Sequence, residues 1–110
     1  MALEHAQPGT IIDVQPLGTT LRDQKTHTLA KTDEFEIIRL VLPAGKEIAT
    51  HTAPGPITIQ CVEGEIVFST MGNELEMNSG QLLYLNANEP HSLRAVEDSS
   101  LLLTILLSQK

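Results

Sequence analysis

The chain has 110 residues, 41% of them apolar but only 3% aromatic, with no tryptophan and a formal net charge of -7. That is enough for one compact domain with an aliphatic core and too little for two independent cores, and an acidic chain without a Lys/Arg cluster offers nothing to a phosphate backbone, so nucleic acid is excluded as an expected partner. The longest apolar run, "LLLTILL" at 101–107, is far short of the ~20 residues of a membrane helix, the lone cysteine, Cys61, excludes an intramolecular disulfide, and no signal-peptide pattern opens the chain, so a cytoplasmic protein without membrane association is expected.

Residues 1–33 are the least regular part. Their clear strand candidate is "IIDVQPL", and Pro8 and Pro16 restrict it to the edge of a sheet, where it would pack on the domain or be exchanged with a partner chain. His5 reads as polarity of the N-terminal tail, and His27, in "KTHTL", as a histidine that an N-terminal strand would carry toward the rest of the domain. Residues 34–110 then give "FEIIRLVL", "ITIQCVE", "IVFST", "QLLYL", "SLRAV" and "LLLTILL", short β-branched runs that predict strands. Between them "LPAG", "VEGE", "MGNE" and "NSG" carry turn chemistry, which predicts consecutive antiparallel connections, with Gly72-Asn73 as a hairpin pair. The expected class is all-β, as a sandwich, jelly roll or barrel. The acidic pairs Glu34/Glu36, Glu63/Glu65 and Glu74/Glu76 each share one strand face, most simply the solvated one.

Two stretches carry a resemblance. Gly45 to Gly64 resembles the first motif of the cupins, Gly, five residues, His-x-His, three residues, Glu, six residues, Gly, with Gly45, His51 and Gly64 in register. Residues 80–93, "GQLLYLNANEPHSL", resemble the second, Gly, five residues, Pro-x-Gly, two residues, His, with Gly80 and His91 in register and Pro90 before the histidine. The resemblance implies a double-stranded β-helix, a conical jelly-roll barrel whose interior holds the site, assembled as a homodimer. It also implies four metal ligands, of which His51 and His91 remain. Ala53 stands at the second histidine and Ile57 at the glutamate, while Asn86 and Asn88 replace Pro and Gly in a turn that asparagine tolerates.

A tight mononuclear site takes at least about three protein ligands, so Zn, Mn, Fe or Ni is expected to be held weakly or not at all. Alternation places Ile57, Ile59 and Cys61 on the inward face, where a thiolate would suit a soft metal and a buried thiol acts as a small hydrophobe. Tyr84 reads as core or pocket wall rather than as an acid, and His51 and His91 also read as ordinary strand-end histidines. "APGP" stiffens the approach to Ile57 and lines the mouth with an apolar lip. No nucleophile lies beside a base, so no catalytic residue is assigned. The expected function is small-molecule binding in a pocket of His51, Ile57, Ile59, Cys61, Tyr84 and His91. One alternative is a metal-dependent dioxygenase or isomerase with His51 and His91 as a reduced ligand set; another is metal-free acid–base chemistry by histidine and Tyr84, as in the sugar-epimerase cupins.

Overall fold

In the strand Ile57–Glu63 the alternation of the sequence becomes burial: Ile57, Ile59 and Cys61 point inward and are buried, while Thr58 and Gln60 face out. The computed structural model describes residues 5–107. In chain order its elements are a 3-10 helix (Gly18–Asp23) and the strands β1 (His27–Lys31), β2 (Phe35–Leu42), β3 (Glu47–His51), β4 (Ile57–Glu63), β5 (Glu65–Thr70), β6 (Asn73–Asn78), β7 (Leu82–Leu85), β8 (His91–Ala95) and β9 (Ser99–Leu106). Five strands in the order β1-β2-β9-β4-β7 face four in the order β3-β8-β5-β6, and their inner faces share one core that includes Leu40, Ile59, Ile66, Phe68, Leu93 and Leu101. The class is all-β, and the arrangement is consistent with a double-stranded β-helix. Among the described residues no helix is long and apolar enough to cross a membrane.

The connections differ from the expected hairpins. "LPAG" leads from β2 to β3, "VEGE" from β4 to β5 and "NSG" from β6 to β7, and each pair lies in opposite sheets. Of the four turn signals only "MGNE" joins hydrogen-bonded neighbours, and its register is one residue earlier than the Gly-Asn pair suggests. Thr70 pairs with Asn73, which leaves Met71 and Gly72 as the loop, with φ of 53° and 80°. Two successive positive φ values match the type I′ turn that suits the twist of a hairpin. Turn residues thus mark where the chain reverses, but whether it returns beside its predecessor or crosses to the other sheet depends on which faces must be buried.

The strands without a sequence signal are all edge strands. β1 lies at one edge of the five-stranded sheet, and β3 and β6 are the two edges of the other, with burial confined to isolated positions such as Ile48 and Met77. An edge strand with little buried surface needs few apolar residues and shows weak alternation. "IIDVQPL" forms no strand; residues 11–17 run as an irregular strap and lead into the 3-10 helix. The N-terminal segment nevertheless supplies a strand, β1, which pairs with β2 of the same chain. Leu21 and the outward-facing Arg39 and Val41 are buried outside the main core, beneath this strap.

Gly64 sits at the corner between the sheets with φ of 88°, and a Cβ there would lie 2.2 Å from Ser99 Oγ and 2.4 Å from the Asp98 carbonyl oxygen. Gly45 has a similar φ of 89° but nothing within 4 Å. Gly64→Ala should therefore destabilise the fold by more than about 3 kcal/mol, against about 1–2 kcal/mol for Gly45→Ala, which has backbone strain alone. Urea unfolding of the two variants checks the ordering. At exposed, left-handed Met71, substitution by Asn should stabilise by about 0.5–1 kcal/mol, read as a higher Tm in a thermal melt.

Candidate functional site

The two motif histidines meet. His51 ends β3, His91 begins β8, and they are partners across the ladder after a bulge between Ile48 and His51. Directly opposed residues on neighbouring strands project to the same side, so the imidazoles come together with ring centroids 4.3 Å apart and planes tilted by 59°. His91 is 5% exposed and lies parallel to Phe68, at 5.6 Å and 9°, whereas His51 is exposed. The pair therefore grades from the core at Phe68 to solvent at His51, which places it at the mouth of the barrel.

Hydrogen bonds set the rings' tautomers. Nδ1 of His51 lies 2.9 Å from the Ala49 carbonyl oxygen, and Nδ1 of His91 is 2.9 Å from that of Glu89. A carbonyl oxygen only accepts, so each Nδ1 donates and each neutral ring keeps its lone pair on Nε2. That disposition suits a metal ligand or an acceptor for a ligand hydroxyl. It is also a local habit of this backbone, because His27 makes the same bond to the Lys25 carbonyl at 2.9 Å.

Two loops frame the mouth. The Asn88 N–H donates to the Ala53 carbonyl at 2.8 Å, tying 52–56 to 86–90, and Asn88 takes a left-handed φ of 66°, the conformation expected of an asparagine in this turn. Thr70 Oγ1 donates to the Pro90 carbonyl at 2.9 Å and holds the lead-in to His91 against β5. Beside His91 an open cleft of about 310 Å³ lies over the outer face of the four-stranded sheet, lined by Ser69 and Ser92, which alternate with the inward Phe68 and His91, together with Thr50, Thr70, Asn73 and Glu74.

The other predicted site residues go elsewhere. Ile57, Ile59 and Cys61 are packed in the core, at the positions alternation assigns them. Cys61 Sγ donates to the Glu63 carbonyl at 3.4 Å, and burial pushes its thiol up. Tyr84 is not part of the core. It is 72% exposed on the outer face of β7, opposite Thr58, where it lines a small apolar groove with Pro56, Thr104 and Leu106. The strand alternates, Leu83 and Leu85 take the inward positions, and Tyr84 must face out. His27 pairs with Arg39 at the edge of the five-stranded sheet and does not join the histidine pair. Among the described residues no three of His, Cys, Asp and Glu converge as a metal cluster. Two imidazoles beside Ala53 and the inward Ile57 are too few donors for a tight metal centre.

Sequence reasoning missed a second polar cluster, on the outer face of the five-stranded sheet. Arg39, 4% exposed, donates through Nη2 to the Gln15 carbonyl and, at 3.2 Å, to Ser100 Oγ. Its partner is Glu63, 3.7 Å away, which therefore is not the solvated carboxylate expected from its pairing with Glu65. The available signal was an arginine in the middle of the apolar run "FEIIRLVL".

Comparison with known proteins places the chain. A segment of 84 residues, 76% of this chain, is 30% identical to mannose-6-phosphate isomerase 1 of Arabidopsis thaliana, of which it spans only 19%. A conserved protein of unknown function from Streptococcus pyogenes superimposes with a TM-score of 0.76 at 22% identity, covering 100% of this chain and 97% of that one. An RmlC-like cupin from Desulfovibrio desulfuricans gives a TM-score of 0.74 at 26% identity over 89% of this chain and 98% of that one. Residues 38–107, from within β2 to just beyond β9, match the Cupin domain family and include both histidines of the mouth, so the chain belongs to the cupin family.

Proposed function

We propose that this cupin binds a small, hydroxyl-bearing molecule at the mouth of its barrel, with His51 and His91 as hydrogen-bonding groups and a divalent metal held weakly or not at all. The observation that carries this reading is the imidazole pair at 4.3 Å, anchored through both Nδ1 atoms, above a floor of Phe68 and aliphatic side chains. A few placed polar groups on an apolar floor is the usual composition of a small-molecule site. Similarity to part of a mannose-6-phosphate isomerase favours a sugar-like ligand. The lone buried thiol suits a reducing, cytoplasmic setting.

The convergence of the two histidines also supports a second reading, in which they form a reduced ligand set for Zn, Mn, Fe or Ni in an isomerase- or dioxygenase-type enzyme. Metal content by elemental mass spectrometry, with titrations of the parent, His51→Ala and His91→Ala, separates the two. Well under one metal per chain, with thermal-shift stabilisation by simple sugars or sugar phosphates that both substitutions abolish, is the expected result. Near one metal per chain, removed by both substitutions, would establish the second reading instead.

A homodimer is proposed through the outer face of the five-stranded sheet, where Leu82, Tyr84 and Leu106 are exposed side by side with an apolar groove. Light scattering after size exclusion should give the mass of two chains for the parent and of one chain for Leu82→Asp/Tyr84→Asp. A monomeric parent at high concentration would overturn this part.

A further inference from the structure

Glu63 is surrounded by donors alone. Oε2 accepts from the Leu17 N–H at 2.8 Å and from Ser100 Oγ, Oε1 accepts from the Gly18 N–H at 3.0 Å, and the Arg39 guanidinium stands 3.7 Å from Oε2. The two backbone donors lie at the start of the 3-10 helix, which has no side-chain cap of its own, so a strand far away in sequence caps it. Arg39 adds a bond to the Gln15 carbonyl, and together the two side chains grip one short stretch of strap backbone by both its acceptor and its donors. Beyond this grip, the 3-10 helix buries only Leu21, and Arg22 makes an exposed two-point pair with Asp98, Nη2 to Oδ1 at 2.8 Å and Nε to Oδ2 at 2.9 Å, which solvent screens. The Glu63–Arg39 cluster is the buried polar part of the attachment.

We propose that Glu63 is the latch of an N-terminal strap: only its ionised carboxylate holds residues 15–21 on the outer face of the five-stranded sheet, and neutralising it releases the strap while the barrel stays folded. The chemistry is one of donor count. A glutamine or a protonated carboxyl presents a hydrogen where a donor already points, so at least one bond becomes a clash of donors, and Arg39 loses its countercharge while already carrying an unpartnered Nε. The barrel core does not include Leu21, Arg39 or Val41, so losing the strap leaves that core intact. Release uncovers Arg39, over which Gln15, Pro16 and Leu17 lie.

The latch is acid-sensitive in one direction. Burial pushes the Glu63 carboxyl up, but the N–H of Leu17, the hydroxyl of Ser100, the N–H of Gly18 and the charge of Arg39 outweigh it and hold it below its ordinary 4.5. A depressed carboxyl stabilises the docked strap above that ordinary value, and the stabilisation is lost as pH falls through the folded one. The other titratable and charged groups on the strap and the elements beneath it are Asp13 beside Arg39, and Arg22 of the 3-10 helix with its partner Asp98, while the Cys61 thiol lies on the inner side of the same strand.

Amide hydrogen exchange, expressed as protection factors, tests this in the parent, Glu63→Gln and Ser100→Ala. Protection at Leu17 and Gly18 should fall at least about tenfold in Glu63→Gln and about threefold in Ser100→Ala, with the amides of β5 and β8 unchanged. Acidification from about pH 7 to about pH 3.5 should lower strap protection further in the parent than in Glu63→Gln, where only Asp13 and the exposed Asp98 that pairs with Arg22 still titrate. Unchanged strap protection in Glu63→Gln, or equal losses in strap and barrel in either variant, would overturn the latch. If Glu63→Gln fails to fold, Ser100→Ala and the parent's pH series decide alone.

Discussion

The structure turns on one corner, Glu63–Gly64–Glu65, where β4 leaves the five-stranded sheet and β5 enters the four-stranded one. Gly64 has no side chain because Ser99 and the Asp98 carbonyl occupy the space a Cβ would need. That close approach lets Ser99 Oγ accept from the Glu65 N–H at 3.1 Å and donate to the Glu97 carbonyl at 2.8 Å, stitching the start of β5 to the start of β9. Cys61 gives its thiol hydrogen to the Glu63 carbonyl from inside, while the Glu63 carboxylate faces the strap from outside. Buried Ser99, Ser100 and Cys61 all have partners here, as buried polar groups in a small domain must. With few aromatics to fill space, the barrel relies on aliphatic side chains and close backbone approach to bring its sheets together.

At the opposite end the same two sheets leave their edges open, and chemistry collects there. The mouth is built from the start of β8 and the end of β3, so the histidines are placed by ladder register rather than by a flexible loop. Phe68 fixes the plane of one ring, and backbone carbonyls fix the tautomer of both. Ala53 and Ile57 take the places where the motif has further donors, which leaves two imidazoles at an otherwise aliphatic mouth. The fold therefore persists without a full donor set, because aliphatic side chains hold it together and the ligands do not.

The outer face of the five-stranded sheet divides in two. Toward β1 and β2 the strap covers it and a charge pair organises the cover; toward β7 it is bare and apolar. A buried Arg–Glu pair is a poor source of raw stability, since both ions lose hydration, but its donors and acceptors demand a particular backbone over them. That demand explains why "IIDVQPL" is not a strand: its continuation serves as hydrogen-bonding partner to side chains, with the proline-containing stretch running irregularly over the sheet.

Much of this was legible from the chain. Period-two alternation in "ITIQCVE" fixed which side chains face inward, because a strand has only two faces, and motif spacing brought His51 and His91 into register. The edge strands β3 and β6 were not legible, since little of their surface is buried, and β1 was not because its four half-buried positions run together without alternation. Tyr84 shows a limit of another kind: its alternation was readable, but whether the face opposite Leu83 and Leu85 is core or solvent depends on what packs there. Glu63 was read as solvated for the same reason, its partners lying 37 residues onward at Ser100 and 46 and 45 residues back at Leu17 and Gly18. By itself the sequence determined the all-β class and the inward face of "ITIQCVE", which follow from local spacing, while the resemblance to the cupin motifs singled out His51 and His91. Only the tertiary structure decided which sheet each strand joins, which way Tyr84 faces and what Glu63 holds, because those depend on groups that are distant in the chain and meet only when both sheets have closed.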